Sequence, residues 1–221
     1  MIQNTIELLS VNVGLPQALP GRDGPVRTGI VKSPVAGSVA VTAAGLAGDG
    51  QADLENHGGL DMAVYVYPHE HYAYWQAEGV GDELPMGGFG ENLTTRGLDE
   101  RRARIGDLLR IGEVCLEISQ PRKPCHKLEL RLKRPGFAKV FLDSGRVGFY
   151  ARVIEGGEIA AGNSIACEHS DPDSMTVRDV AALVNLQPAL LPAARRAVEL
   201  PALSAEWRES IAARIERLGP A

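Results

Sequence analysis

Between Ile6 and about Cys167 the apolar residues come in short alternating or continuous runs, each cut by glycine or proline. Such spacing predicts a mainly β region, a barrel or sandwich of many short strands. Two stretches carry the pattern best. Within Asp107–Ile118 the residues Val114, Leu116 and Ile118 point to one side and Glu113, Cys115 and Glu117 to the other, with a turn at Ile111-Gly112-Glu113. Gly148–Ile154 forms the second strand, followed by a turn at Glu155-Gly156-Gly157-Glu158 and a last strand near Asn163–Cys167.

Helical spacing interrupts this region and then replaces it. Pro68 suits a first helical position, and His69–Glu78 continues the helix to Gly79. A second short helix is predicted over Lys127–Lys133, ending before Pro135. Beyond Ser170–Ser174 the chain turns to alanine, leucine and charged residues. There Thr176 caps a helix from Val177 to about Val184, Ala193–Leu200 forms another, and Ser204 caps a third ending at Gly219. Trp207, Ile211, Ile215 and Leu218 share one face of the third, which needs a partner: the other two helices or a second subunit. The organisation expected is a β domain over residues 1–170 and a three-helix domain over 171–221.

A chain of 221 residues supports one full-sized core and a small appendage. Its net charge of −5, with both signs interspersed, gives no general field for a nucleic-acid backbone, so any basic site is local and no nucleic-acid partner is expected. The first residues lack a basic segment followed by an apolar one, and no apolar run approaches the ~18–20 residues that span a bilayer. The expectation is a soluble cytoplasmic protein without a membrane partner. Cys115, Cys125 and Cys167 are widely spaced, with no CxxC pair, and read as reduced thiols. They fall short of the Cys₄ set of an iron–sulfur cluster, so redox chemistry on this chain draws electrons from elsewhere.

Chemistry concentrates in Ser119-Gln120-Pro121-Arg122-Lys123-Pro124-Cys125-His126-Lys127. Arg122, Lys123, His126 and Lys127 surround one thiol with positive charge, which favours the thiolate as nucleophile or metal ligand. The alternative is a buried cysteine beside a solvated basic loop. Cys115 and Cys167 sit within strand patterns and read as packing residues. Gly48-Asp49-Gly50-Gln51-Ala52-Asp53, with His57-Gly58-Gly59, offers glycine-freed amides that could wrap a polar ligand, with His57 at the rim. Gly90-Glu91-Asn92-Leu93 is a further glycine turn, and Lys32 with Ser33 at a strand end could hold a phosphate. A zinc site is disfavoured: on a helix at about 100° per residue, His69 and His71 stand about 200° apart. No P-loop, GxSxG elbow or dinucleotide fingerprint is present.

Taken in series, Lys32-Ser33-Pro34-Val35, Gly48–Asp53 with His57-Gly58-Gly59, Gly90–Leu93 and Gln120–Cys125 resemble the MOSC domain, the fold of molybdenum-cofactor sulfurase carboxyl-terminal regions. The resemblance covers roughly residues 5–168. The helical tail is similar to the three-helix extension of bacterial N-hydroxylaminopurine resistance proteins. This implies a mixed β-barrel with a few short helices, binding a molybdenum cofactor (molybdopterin) whose metal is held by Cys125. It makes Lys32, Ser33 and Arg122 candidates for the cofactor phosphate, and His57 and Asn92 candidates for pterin or substrate contacts. Met62 stands where relatives lead one to expect a lysine, and is given no role.

The function so implied is two-electron reduction of a small N-hydroxylated base or amine, with electrons from a separate reductase protein and His57 or His126 relaying protons. A homodimer is compatible with the tail. The rival is a carrier module in which Cys125 holds sulfur or cofactor without turning over a substrate. A cysteine hydrolase is disfavoured because His126, adjacent to Cys125, is poorly placed as its base.

Overall fold

The computed structural model describes residues 5–52, 58–80 and 84–218. In chain order the elements are β1 (Ile6–Val13), β2 (Gln17–Gly21), β3 (Gly24–Thr28), β4 (Ser33–Pro34), β5 (Val39–Thr42), β6 (Gly45–Leu46), β7 (Val64–Pro68), α1 (Glu70–Ala77), β8 (Leu93–Arg96), β9 (Leu108–Ile111) and β10 (Val114–Pro121). They continue with α2 (His126–Leu132), α3 (Phe137–Asp143), β11 (Phe149–Glu155), β12 (Gly157–Ile159), β13 (Ser164–His169), α4 (Val177–Ala182), α5 (Leu191–Val198) and α6 (Ala205–Leu218).

Seven strands close into a barrel in the order β13-β9-β10-β11-β7-β8-β1, and β1 returns to β13 through the pairs Ile6↔Ile165 and Glu7↔Ser164. Closure removes the sheet edges that would otherwise invite pairing with another chain. Neighbours run antiparallel except β7 and β8, which pair in parallel at Val66↔Leu93. A parallel pair needs a long crossover. Here α1 lies within that crossover, so the mixed barrel follows from one helical connection.

The predicted β9–β10 hairpin forms, with Val114, Leu116 and Ile118 buried in the barrel interior. Three local expectations are corrected. Pro68 ends β7 rather than opening α1: Val64–Tyr67 are all buried and extend the strand, and Pro68 pairs with Thr95 before the helix begins at Glu70. The Glu155–Glu158 segment does not lead directly into the last strand. Residues Gly157–Ile159 form β12, which pairs with β5. The seven-residue α3 had no counterpart in the predicted elements.

In the tail, the Thr176 hydroxyl accepts a hydrogen bond from the Asp179 amide (3.1 Å) and the Ser204 hydroxyl from the Trp207 amide (3.3 Å), the two predicted caps. The apolar face of α6 finds its cover within the chain: Trp207 and Ile211 are buried in the same cluster as barrel residues such as Leu116 and Ile118. Each such side chain contributes about 1.5–3 kcal/mol by leaving water. Backbone bonds cross the seam as well, from Val177 to Ala103 (2.8 Å) and from Ser204 to Ser119 (3.1 Å). Barrel and tail are therefore one packed body. A second cluster, with Tyr65, Tyr67, Trp75, Phe89, Leu128, Phe137 and Phe141, fills the space between the barrel and α1, α2 and α3. Among the described residues no helix is long and apolar enough to cross a membrane.

Candidate functional site

Where β10 leaves the barrel, Pro121 ends the strand and Pro124 holds the chain extended up to Cys125, which takes an extended backbone (φ −134°, ψ 177°) as the N-cap of α2. Its half-buried sulfur, in no disulfide, lies on the wall of a cleft of about 100 Å³. The other walls come from the chain after β3, the loop after β6, the start of β7, the loop before β8 and Tyr150 on β11. Backbones meet closely at this cleft. A Cβ on Gly29 would stand 2.3 Å from the Gly50 carbonyl oxygen, and Gly90 adopts φ +87° with a Cβ position 2.6 Å from the Ile30 side chain.

Arg122 is the most buried cation of the cleft, 6% exposed. It donates to the Phe89 carbonyl (2.7 Å) and the Tyr65 hydroxyl (3.0 Å), and its guanidinium lies 4.6 Å from the Tyr65 ring centre and 5.6 Å from that of Phe141. Burial works against its charge, but the surroundings of Tyr65, Tyr150 and Cys125 and the hydrogen bond to Tyr65 outweigh this, and the guanidinium stays protonated. Burial raises the Tyr65 phenol well above the usual tyrosine range and raises that of Tyr150 as well, with Arg122 opposing both.

Lys32 is buried and pairs with Asp49, whose carboxylate also accepts from the Gly14 amide (3.0 Å) and from Asn92 Nδ2 (2.8 Å). Burial pulls the Lys32 ammonium below the usual lysine range, and Asp49 opposes this. Asn92 spends its amide on the protein: Oδ1 accepts from the Tyr65 amide (3.0 Å), and Nδ2 reaches Asp49 and the Asn12 carbonyl (3.4 Å). Both its hydrogens point to protein acceptors, so Asn92 orders the wall of the cleft. The preceding Glu91 is fully buried, accepting from Gly87 N (2.9 Å), Phe89 N (3.1 Å), Thr94 Oγ1 (2.9 Å) and the Tyr72 hydroxyl. Burial raises its pKa while these donors oppose the rise. Glu91 thereby fixes the turn that presents the Phe89 carbonyl to Arg122.

The fold thus brings Lys32, Asn92, Arg122 and Cys125 together at one cleft. Ser33 is exposed on β4, outside the lining residues, because successive residues of extended chain face opposite sides. His57 lies outside the described residues. His126 is exposed on α2 and does not line the cleft. His71 is buried against Glu100 (2.7 Å). The sequence reading did not single out Asp49, Tyr65 or Tyr150. Asp49 had a signal in its flanking glycines, whereas the two tyrosines sit in ordinary strand patterns.

The donor set restricts what the cleft can hold. Lys32, Arg122, Lys123 and Lys127 face one carboxylate, Asp49, so the described lining carries an excess of three positive charges. That suits an anionic ligand. No group of three or more His, Cys, Asp or Glu side chains able to hold a metal ion occurs among the described residues. A bare ion would be under-coordinated, whereas a soft metal that brings its own organic ligands needs one thiolate from the protein, which Cys125 can supply. The residues present fit such a group.

Comparison with known proteins gives the same outline. A family model described as MOSC domain matches residues 53–166, and one described as YiiM-like, 3-alpha helix domain matches residues 175–218. An uncharacterized protein of Bacillus subtilis (strain 168), YflK, is 38% identical over 221 residues, covering 100% of this chain and 99% of that protein. A protein named reductase from Gibberella moniliformis (strain M3125 / FGSC 7600) is 33% identical over 80% of this chain, which spans 32% of that longer protein. The crystal structure of YiiM from Geobacillus stearothermophilus superimposes with a TM-score of 0.79 at 32% identity, covering 95% of this chain and 99% of that one. With a closed mixed barrel, a thiol in a cationic cleft and the matching tail all present, the chain belongs to the MOSC-domain family and carries the YiiM-like three-helix domain at its C-terminal end.

Proposed function

We propose that this protein is a molybdenum-cofactor-dependent reductase of N-hydroxylated bases or amines, with the Cys125 thiolate as the metal ligand from the protein. The observation that carries the reading is the single half-buried thiol at the wall of a cleft with an excess of three positive charges. MOSC domains are associated with the molybdenum cofactor, and a relative of this chain is named a reductase. A bound molybdenum centre would supply the two-electron couple. The overall conversion is R–NHOH + 2 e⁻ + 2 H⁺ → R–NH₂ + H₂O, with electrons from a separate donor protein.

The chain's own residues have distinct tasks in this proposal. Lys123 and Lys127 attract the anionic cofactor, and Arg122, held by Phe89 and Tyr65, fixes positive charge beside the thiolate. Lys32 is engaged by Asp49, and an ammonium with three donors can still offer one to a phosphate. Tyr150 keeps a proton at Oη within the cleft, where it can hydrogen-bond the departing hydroxyl.

The test is molybdenum content by mass spectrometry on protein made in cells competent for cofactor synthesis, native chain against Cys125→Ser, followed by turnover of an N-hydroxylated amine with an electron donor. Near-stoichiometric metal that disappears in the variant, with turnover in the native protein only, is the expected result. Equal metal in both chains would sink the assignment of Cys125. Metal without turnover of any N-hydroxylated compound would leave the carrier role in place of the reductase.

A further inference from the structure

The three cysteines of the chain stand in different settings. Cys115 is 2% exposed on β10, where burial pushes its thiol up. Cys167 is exposed on β13, with the Asp107 carboxylate as its charged neighbour. Cys125 is half-buried in a cleft that it shares with Lys32, Arg122, Lys123 and Lys127, against the Asp49 carboxylate. The charge around a thiol selects which reagents reach its sulfur, so reagents of one size and different charge should sort these three sites.

Arg122 gives the cleft more than charge. Though buried, it spends only Nη1 on the protein: both hydrogens of that nitrogen go to the Phe89 carbonyl and the Tyr65 hydroxyl. The N–H groups of Nε and Nη2 have no acceptor among the described residues, and Arg122 lines the cleft. That edge of a guanidinium is the fork that pairs with a carboxylate through two parallel hydrogen bonds. Lys123, exposed at the same cleft, has no ion-pair or hydrogen-bond partner among the described residues. A small molecule that carries both a carboxylate and a reactive sulfur therefore meets a matching anchor beside the thiol.

We propose that Cys125 is a modification site for acidic low-molecular-weight disulfides, the oxidised form of small thiols that carry carboxylates, with Arg122 and Lys123 holding a carboxylate while the sulfurs exchange. The Cys125 thiolate attacks one sulfur of R–S–S–R. A Cys125–S–S–R bond forms, the original S–S bond breaks, and R–S⁻ leaves with its electron pair. A second small thiol reverses the step by the same exchange. A sulfur capped in this way offers no thiolate to a metal, so the cap and metal ligation exclude each other. Only that consequence rests on the reading of Cys125 as the metal ligand; the exchange stands without it. The cleft then couples cofactor loading to the oxidation state of the small-thiol pool.

The experiment treats the full-length protein, prepared with and without molybdenum, with glutathione disulfide (negative), 2-hydroxyethyl disulfide (neutral) and cystamine (positive), and follows each cysteine by peptide mass mapping. All reagents are compared at one pH, so the ionisation of the thiol cancels, and rates at Cys167 in the same molecule correct for the reagents' intrinsic reactivity. Cys115 staying unmodified reports that the chain remains folded. On that scale glutathione disulfide modifies Cys125 about tenfold faster than the neutral reagent at low salt, and cystamine modifies it slowest. The preference largely disappears between about 0.01 M and about 1 M salt, as the screening length falls from about 30 Å to about 3 Å. Lys123→Glu, at an exposed position, cuts the preference several-fold, and Arg122→Lys, which keeps the charge and loses the fork, also lowers it. Should Arg122→Lys fail to fold, Lys123→Glu and the salt series decide. Corrected rates at Cys125 that ignore reagent charge, or a preference unaltered by Lys123→Glu, would overturn the site. Molybdenum that shields Cys125 from all three reagents, with no charge preference in metal-free protein, defeats this proposal and spares the metal-ligand reading. A charge-selective Cys125 that reacts equally with and without molybdenum does the reverse.

Discussion

Replacing Lys32 by methionine tests the electrostatics of the cleft wall. The Lys32–Asp49 pair has side-chain exposures of 7% and 11%, so neither charge is well solvated. Removing one member of a buried pair typically costs about 3–5 kcal/mol, because the other charge stays in place uncompensated. Asp49 keeps two donors, Gly14 N and Asn92 Nδ2, which soften the loss. The expected cost of Lys32→Met is therefore near the lower end, about 3 kcal/mol. In a chain of 221 residues this lowers Tm by roughly 6–12 °C. Adding Asp49→Asn removes the stranded charge but keeps an acceptor for only one of the two donors, Gly14 N and Asn92 Nδ2, so the double variant recovers part of the stability. Urea unfolding of the native chain, the two single variants and the double variant gives the coupling energy directly. Lys32→Met within about 0.5 kcal/mol of native, together with no coupling to Asp49→Asn, would refute the argument that the pair is held as two charges out of water.

Two further outcomes follow from groups at the same wall. Tyr150→Phe removes the Oη proton but keeps the ring, and in the proposed reductase it lowers turnover by about a hundredfold at unchanged molybdenum content; unaltered turnover in steady-state assays would take Tyr150 out of the reaction. Burial holds Tyr65, Tyr67, Tyr72 and Tyr150 above their ordinary value of 10.0, so the folded state retains protons that the unfolded chain has lost. Their neutral forms carry no such penalty below pH 10, and stability falls as pH rises beyond it. Chemical denaturation between pH 9 and 11 checks this, and Tyr65→Phe should flatten the decline.

The sequence was most legible where structure is local. Alternation located the β9–β10 hairpin, and Thr176 and Ser204 located two helix starts, because a strand's facing and a helix cap depend on residues within a few positions. Cys125 was legible for a similar reason: four basic residues and two prolines stand within a few positions of one thiol. The MOSC resemblance supplied barrel closure, which no local pattern contains. Pro68 and α3 were misread or missed because a short apolar run fits a strand and a helix alike, and the choice was made by pairing with β8 and by the aromatic cluster beneath.

By itself, then, the chain determined its mainly β character, its helical tail and the thiol that stands among basic residues, all through short-range spacing and charge. Only the tertiary structure decided that Lys32 faces Asp49 while its neighbour Ser33 faces solvent, and that Asn92 ties Tyr65 and Asp49 into one wall of the cleft. It also decided that Gln120 meets α6 across a cavity. Those relations join residues 17 to 86 positions apart. They are set by burial and by which hydrogen-bond partners remain once the barrel closes, and no window on the sequence contains both members of such a pair.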